Sequence, residues 1–235
     1  QVNASQDQKG WLEEPAIRGF PISEDATKVI FSFEAKGRQA ALFDVAGRSL
    51  QLNPLWKNSY LLPILESPRL KVTGWCGKAN PKLNGRRLRL GTTEISWCLA
   101  ISPNDGGFLL GTEWNLYHFD QEGHKIWRTP LDSAAWAVNI SKDSRIAVLH
   151  LADGTIRWYR MIDGNEILAF FPHADRNRWI AWTPEGYYMS SPYGDELVGW
   201  HLNNGKDQEA HFYAAMQFER ILFQPAYVQF YFRYL

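Results

Sequence analysis

Cysteine is scarce in this 235-residue chain, with Cys76 and Cys98 as its whole complement. Two thiols make neither a disulfide framework nor, by themselves, a four-ligand zinc cage. Net charge is missing too: 25 Lys and Arg balance 25 Asp and Glu, so bulk electrostatics argues for neither a nucleic-acid nor a membrane partner. No run approaches the roughly 18 consecutive apolar residues that a bilayer-crossing helix needs. The catalytic vocabulary is equally thin. His-Glu-x-x-His, Gly-x-Ser-x-Gly and a phosphate-cradling Gly-rich loop do not occur, and no cofactor or metal site is expected. Cys98, between Trp97 and Leu99, reads as a buried structural thiol; Cys76, before Gly77, reads as more exposed. His118 and His124 flank one turn without a third ligand and read as a surface loop. The first residue is Gln1 rather than methionine, from which a processed or excised piece is expected, cytoplasmic by preference with secretion left open.

Aromatic residues are abundant: 11 Trp, 13 Phe and 10 Tyr. They recur. Trp97-Cys98-Leu99-Ala100-Ile101-Ser102-Pro103, Trp136-Ala137-Val138-Asn139-Ile140-Ser141 and Trp179-Ile180-Ala181-Trp182-Thr183-Pro184 share one pattern. The hydroxyl anchors Ser102, Ser141 and Thr183 lie 39 and 42 residues apart, and each precedes an aromatic (Phe119, Trp158, Trp200) by 17 residues. A fourth copy starts at Ser23 and reaches Phe43 after 20 residues, and a degenerate copy is expected between them, with strands near 70–75 and 83–90. Asp-Gly and Asn-Gly pairs punctuate the segments at Asp153-Gly154, Asp163-Gly164 and Asn204-Gly205, supplying the positive φ that tight hairpins need. A period near 40 built from short strands predicts an all-β chain: a β-propeller of about five four-stranded blades, closed or open, near 15–50, 51–94, 95–132, 133–174 and 175–205. Trp97, Trp136, Trp158, Trp182 and Trp200 are expected to wedge between blades. A C-terminal extension, 206–235, follows, with a short helix expected over 206–220 and then an aromatic closing strand or docking segment.

From about residue 80 to 225 the chain resembles the WD-repeat-like propeller of bacterial proteins that carry a caspase-like (metacaspase-type) peptidase domain. The resemblance rests on Pro81-Lys82-Leu83-Asn84-Gly85, Leu110-Gly111-Thr112-Glu113-Trp114, Asp153-Gly154-Thr155-Ile156-Arg157-Trp158-Tyr159, Phe170-Phe171-Pro172-His173-Ala174-Asp175 and Trp182-Thr183-Pro184-Glu185-Gly186-Tyr187-Tyr188. The Gly-His dipeptide and Trp-Asp strand ending of ordinary WD repeats are absent. The resemblance implies a non-catalytic scaffold whose partner is a caspase-like protease or its substrate, in bacterial stress or defence. The catalytic His-Gly of that protease family is missing, since none of the six histidines precedes a glycine.

Three surfaces are candidates for contact. Lys78, Lys82, Arg86, Arg87 and Arg89 form a stretch of cations without an acid, either a solvated blade edge or a grip for phosphates. Trp114 and Trp127 lie at or near turns, where tryptophan can anchor an interface. Phe230, Tyr231, Phe232 and Tyr234 end the chain in an apolar cluster suited to ring closure or self-association. A protein partner is the leading expectation. A carbohydrate-binding or glycosidase-type propeller with a central pocket, and nucleic-acid binding through 78–89, are the alternatives.

Overall fold

The structure, a computed structural model, describes residues 20–34, 38–55, 59–202 and 211–234. It is predominantly β, in antiparallel sheets that follow one another along the chain. The first sheet holds β1 (Lys28–Ser32), β2 (Ala40–Asp44) and β3 (Ser49–Leu52). The second is a small one of β4 (Val72–Thr73), β5 (Lys82–Leu83) and β6 (Arg86–Arg87). The third is a four-stranded meander of β7 (Ser96–Ile101), β8 (Gly107–Thr112), β9 (Asn115–Asp120) and β10 (Lys125–Pro130). The fourth runs through six strands: β11 (Ala135–Ile140), β12 (Ile146–Leu151), β13 (Ile156–Arg160), β14 (Glu166–Pro172), β15 (Trp179–Trp182) and β16 (Tyr188–Ser190). β17 (Gly199–Leu202) and β18 (His211–Ala214) pair separately, and α1 (Glu219–Leu222) and α2 (Pro225–Tyr234) end the fold.

The repeated hydroxyl anchors do one job four times. The N–H groups of Ser23, Ser102, Ser141 and Thr183 each donate at 2.9 Å across a turn, to the carbonyls of Lys28, Gly107, Ile146 and Tyr187. Each anchor carbonyl in turn accepts, at 2.9 Å, from the N–H three residues on: Ala26, Asp105, Ser144 and Gly186. All four of those residues are left-handed, with φ of 58°, 56°, 60° and 91°. In two copies the hydroxyl donates to an acid two residues later, Asp25 or Asp143, and accepts from a strand N–H, that of Lys28 or Ile146. The polar side chain thus stabilises a turn that non-glycine residues otherwise resist.

Strand alternation stacks the sheets. In the third sheet Cys98, Ala100, Leu109 and Leu116 face the fourth sheet, while Leu99, Ile101, Phe108 and Leu110 face the second. In the fourth sheet Ala147, Leu149 and Tyr159 face the third, while Val148, Ile156, Trp158 and Phe170 face the first. Covered on both sides, central strands read as near-continuous apolar runs. Gly111 sits at one such contact, where an added Cβ would stand 2.5 Å from Cys98 Sγ and 2.6 Å from the Ala135 Cβ. The seam between first and fourth sheets is aromatic. Phe43 stacks on Phe170 with centroids 3.7 Å apart, and Trp158 Nε1 donates to the carbonyl of Ala26 at 2.8 Å. Asn139 adds a second tie, donating to the carbonyls of Phe20 and Leu61.

Several expectations are corrected. The strand count of four per sheet holds for the third sheet alone among those described. The boundary expected at 174/175 falls inside a hairpin: Pro172 pairs with Trp179, and His173 N–H bonds the Arg178 carbonyl, so β15 and β16 continue the fourth sheet. The aromatic closing strand is a helix instead. Pro225 opens α2, a position where proline's missing N–H costs nothing, and Val228 and Phe232, four apart, drop into the core between first and fourth sheets. Within 206–220, residues 206–210 lie outside those described, His211–Ala214 is strand, and the expected helix is present from Ala215, as a 3-10 turn over Ala215–Phe218 that leads into α1. Of the expected wedge indoles Trp158 is fully buried, whereas Trp97, Trp136 and Trp182 are half-buried. The Trp158→Phe change deletes a donor and leaves the buried Ala26 carbonyl unpaired, so it should cost about 2–4 kcal/mol, read as a lower urea midpoint; an unchanged midpoint would show that the seam is held elsewhere.

Candidate functional site

The cationic stretch folds onto the second sheet. Lys78, Lys82, Arg86, Arg87 and Arg89 are all exposed, and none forms an ion pair with a described residue. Asn84 and Gly85 (φ 48° and 87°) form the two-residue turn between β5 and β6, as Asn-Gly favours. Lys78 bridges to Ser96 of β7, and Ser96 pairs with Thr112 of β8. Trp114, 63% exposed, projects from the turn just beyond Thr112. Trp127 plays a different part. Its Nε1 donates to the Met161 carbonyl at 2.8 Å and its ring lies against Gly164, so it joins third and fourth sheets and is a structural residue.

The C-terminal aromatics split by face. Phe232 is buried, and Tyr231 is half-buried with its hydroxyl 3.3 Å from Glu185. Phe230 and Tyr234 are 58% and 68% exposed and lie 4.5 Å apart. They share a side of α2 with Tyr227, since three- and four-residue steps return to one helical face.

Polar side chains that could carry chemistry are mostly committed to structure. Glu94 is a buried carboxylate with three side-chain donors: Thr112 Oγ1 at 2.7 Å, Asn115 Nδ2 at 2.8 Å and Tyr117 Oη at 2.8 Å. Burial, then the Glu94 hydrogen bond, pushes the Tyr117 phenol upward. Gly91 lies so close that a Cβ there would meet Glu94 Oε1 at 2.2 Å. Sequence reasoning passed Glu94 over, because its donors come from 18 to 23 residues downstream. Cys98 is pushed up to about 12 by burial and Cys76 upward by the same cause, so both stay thiols at neutral pH. Burial drives His118 and His150 down to about 4. Asp120, Glu122 and His124 place their ligand atoms within 4.8 Å of one another, yet Asp120 Oδ1 already accepts from the N–H groups of Glu122 and His124, which is how such a turn closes. A cleft of about 290 Å³ is lined by Arg160, Asn165, Glu166, Ile167, Pro184, Glu185 and Tyr231. Glu166 is engaged there by Arg157 at 3.0 Å and by the Tyr159 hydroxyl at 3.3 Å.

No protein-family model matches the chain, and no curated protein does either. Among solved structures, the crystal structure of the computationally designed Ika4 protein is similar over 53% of this chain and 86% of its own, at 20% identity and a TM-score of 0.37.

Two outcomes follow from the buried polar groups. Glu94→Gln sets an NH₂ against groups that must donate, so stability should fall by about 1–3 kcal/mol in urea denaturation. His118 and His150 are neutral in the fold with pKa near 4 against an ordinary 6.5, so between those values the unfolded chain binds more protons. Stability should therefore be complete above about pH 6.5 and decline as pH falls toward about 4. Urea midpoints at about pH 7 and about pH 5 measure this, and His118→Phe should flatten the dependence.

Proposed function

We propose that the chain is a non-catalytic interaction module in which stacked sheets hold a contact surface rigid for a protein partner. The observation that carries this is α2. Val228 and Phe232 on one side anchor the helix in the core between the first and fourth sheets, while Tyr227, Phe230 and Tyr234 on another stand in solvent. Exposed aromatics held by a rigid mount combine large apolar area with little entropy left to lose, which is the composition of interface hot spots. Ile221, 66% exposed, extends the apolar surface from α1.

The finer architecture under this reading is a propeller of about five blades related to WD repeats. The four equivalent hydroxyl-anchored turns and the stacking of the second, third, fourth and first sheets support it, with β17 and β18 as part of a fifth blade. The partner under this reading is a caspase-like protease or its substrate, as the family resemblance implies, in a bacterial cytoplasm. A glycosidase reading is weaker, because Glu166 and Glu185 in the cleft are each engaged by neighbouring side chains.

Immobilised full-length chain should retain peptidase activity from an extract of the source cell. The double substitution Phe230→Ser/Tyr234→Ser should lower that recovered activity at least about 10-fold, since each hot-spot aromatic is worth on the order of 2 kcal/mol. Equal recovery by both proteins, or no activity with either, overturns the proposal.

A further inference from the structure

The second sheet carries a charge distribution that its fold does not require. Between residues 67 and 93 the chain places seven cations, Arg69, Lys71, Lys78, Lys82, Arg86, Arg87 and Arg89, and not one Asp or Glu. All seven are exposed, and none makes an ion pair with a described residue. Elsewhere the same chain pairs its arginines readily: Arg157 with Glu166, Arg160 with Asp163, Arg176 with Glu34 and Arg178 with Asp175. Charges that balance over the whole molecule are therefore segregated on this sheet.

Register concentrates them further. Thr73, Lys82 and Arg87 are direct neighbours across the three strands, on the face opposite Val72 and Leu83, which are buried against the third sheet. Lys71 and Arg89 lie two residues along from Thr73 and Arg87 and share that outward face by strand alternation. Like charges placed directly opposite destabilise a pair of strands, so Lys82 facing Arg87 works against the hairpin. The side chain of Asn84 holds it nonetheless, donating to the Arg69 carbonyl and accepting from the Lys71 N–H at 3.0 Å each.

An exposed indole lies near these cations. Lys78 is strand neighbour to Ser96 and Ser96 to Thr112, which brings Lys78 to the end of the third sheet where Trp114 is exposed. Trp75 packs against the core between second and third sheets and Trp97 lies over Gly77, which leaves Trp114 as the indole exposed here. A row of cations tracking a phosphate backbone beside indole faces that stack on bases is the physical recipe for single-stranded nucleic-acid binding. An acidic protein would match the charge as well, and competition by poly-aspartate separates the two occupants.

We infer that the outward face of the second sheet, with Trp114 at its border, binds single-stranded nucleic acid through its phosphates and bases. This surface is separate from α2, so the Phe230→Ser/Tyr234→Ser protein should bind nucleic acid normally. The probe is a fluorescein-labelled 20-nucleotide oligo-dT, followed by anisotropy with the full chain. With about five phosphates neutralised, affinity should fall about 100-fold between 50 and 200 mM salt. Lys82→Gln/Arg87→Gln removes two phosphate contacts and should reduce that fall to about 20-fold. Its thermal midpoint should not drop, because the substitution relieves repulsion; Lys71→Gln/Arg89→Gln, on the same face but outside that direct cross-strand pair, reads the same slope independently. Trp114→Ala should weaken binding at least about 5-fold through lost stacking. The assignment is overturned by absence of binding at 50 mM salt, by glutamine variants that bind like the parent, by an unchanged Trp114→Ala affinity, or by poly-aspartate displacing the oligonucleotide at equal charge concentration, which would make this an acidic-protein surface.

Discussion

The contact between Trp158 and the carbonyl of Ala26 ties the molecule together. Ala26 is the left-handed corner of the first hydroxyl-anchored turn, and Trp158 is the aromatic of a later repeat, 132 residues away. One hydrogen bond thus joins the device that starts a sheet to the ring that fills the next interface. Around it the Phe43–Phe170 stack and the Asn139 hydrogen bonds fix first and fourth sheets face to face. Apolar side chains on each of these sheets are buried by the next one, so each sheet depends on its neighbour for a covered face.

That dependence explains where the polar groups went. Glu94, Asn139, Arg157 and Trp127 are all used where sheets or connections meet, and the buried histidines are held neutral. A buried carboxylate with three donors is the kind of group expected in an active site, yet the Glu94 donors all come from strands it locks in place. Among the described residues, two uncommitted surfaces stand out: the solvent side of α2 and the cationic face of the second sheet. Both are mounted on buried counterparts, Val228 and Phe232 in one case, Val72 and Leu83 in the other, so each is presented by a rigid support.

Local chemistry was readable from the sequence and long-range pairing much less so. Ser102, Ser141 and Thr183 could be found by spacing because each closes its turn within five residues, and the same holds for Asn84-Gly85. The fourth sheet's extent was not readable, since a hairpin between β14 and β15 and a crossing to a new sheet both begin with a polar turn, here Asp175-Arg176-Asn177. Residues 226–234 were misread because an aromatic run satisfies both a period of two and a period near four. Packing decided for the helix through Val228 and Phe232. Trp127 was placed near a turn and proved to be a clamp, because its partner Met161 lies 34 residues downstream. Of the surface candidates, Trp114, the five cations, Phe230 and Tyr234 are exposed.

β16 ends the fourth sheet, and its outer side is met by one parallel bridge from Tyr188 to Phe223, with Gln224 N–H donating to the Tyr188 carbonyl at 3.0 Å. The segment joining α1 to α2 therefore acts as a stopper on an otherwise open strand. Lifting it would bare a template onto which a second molecule's strand could add, and then a third. The docking of α2 on the core thus also keeps that edge covered.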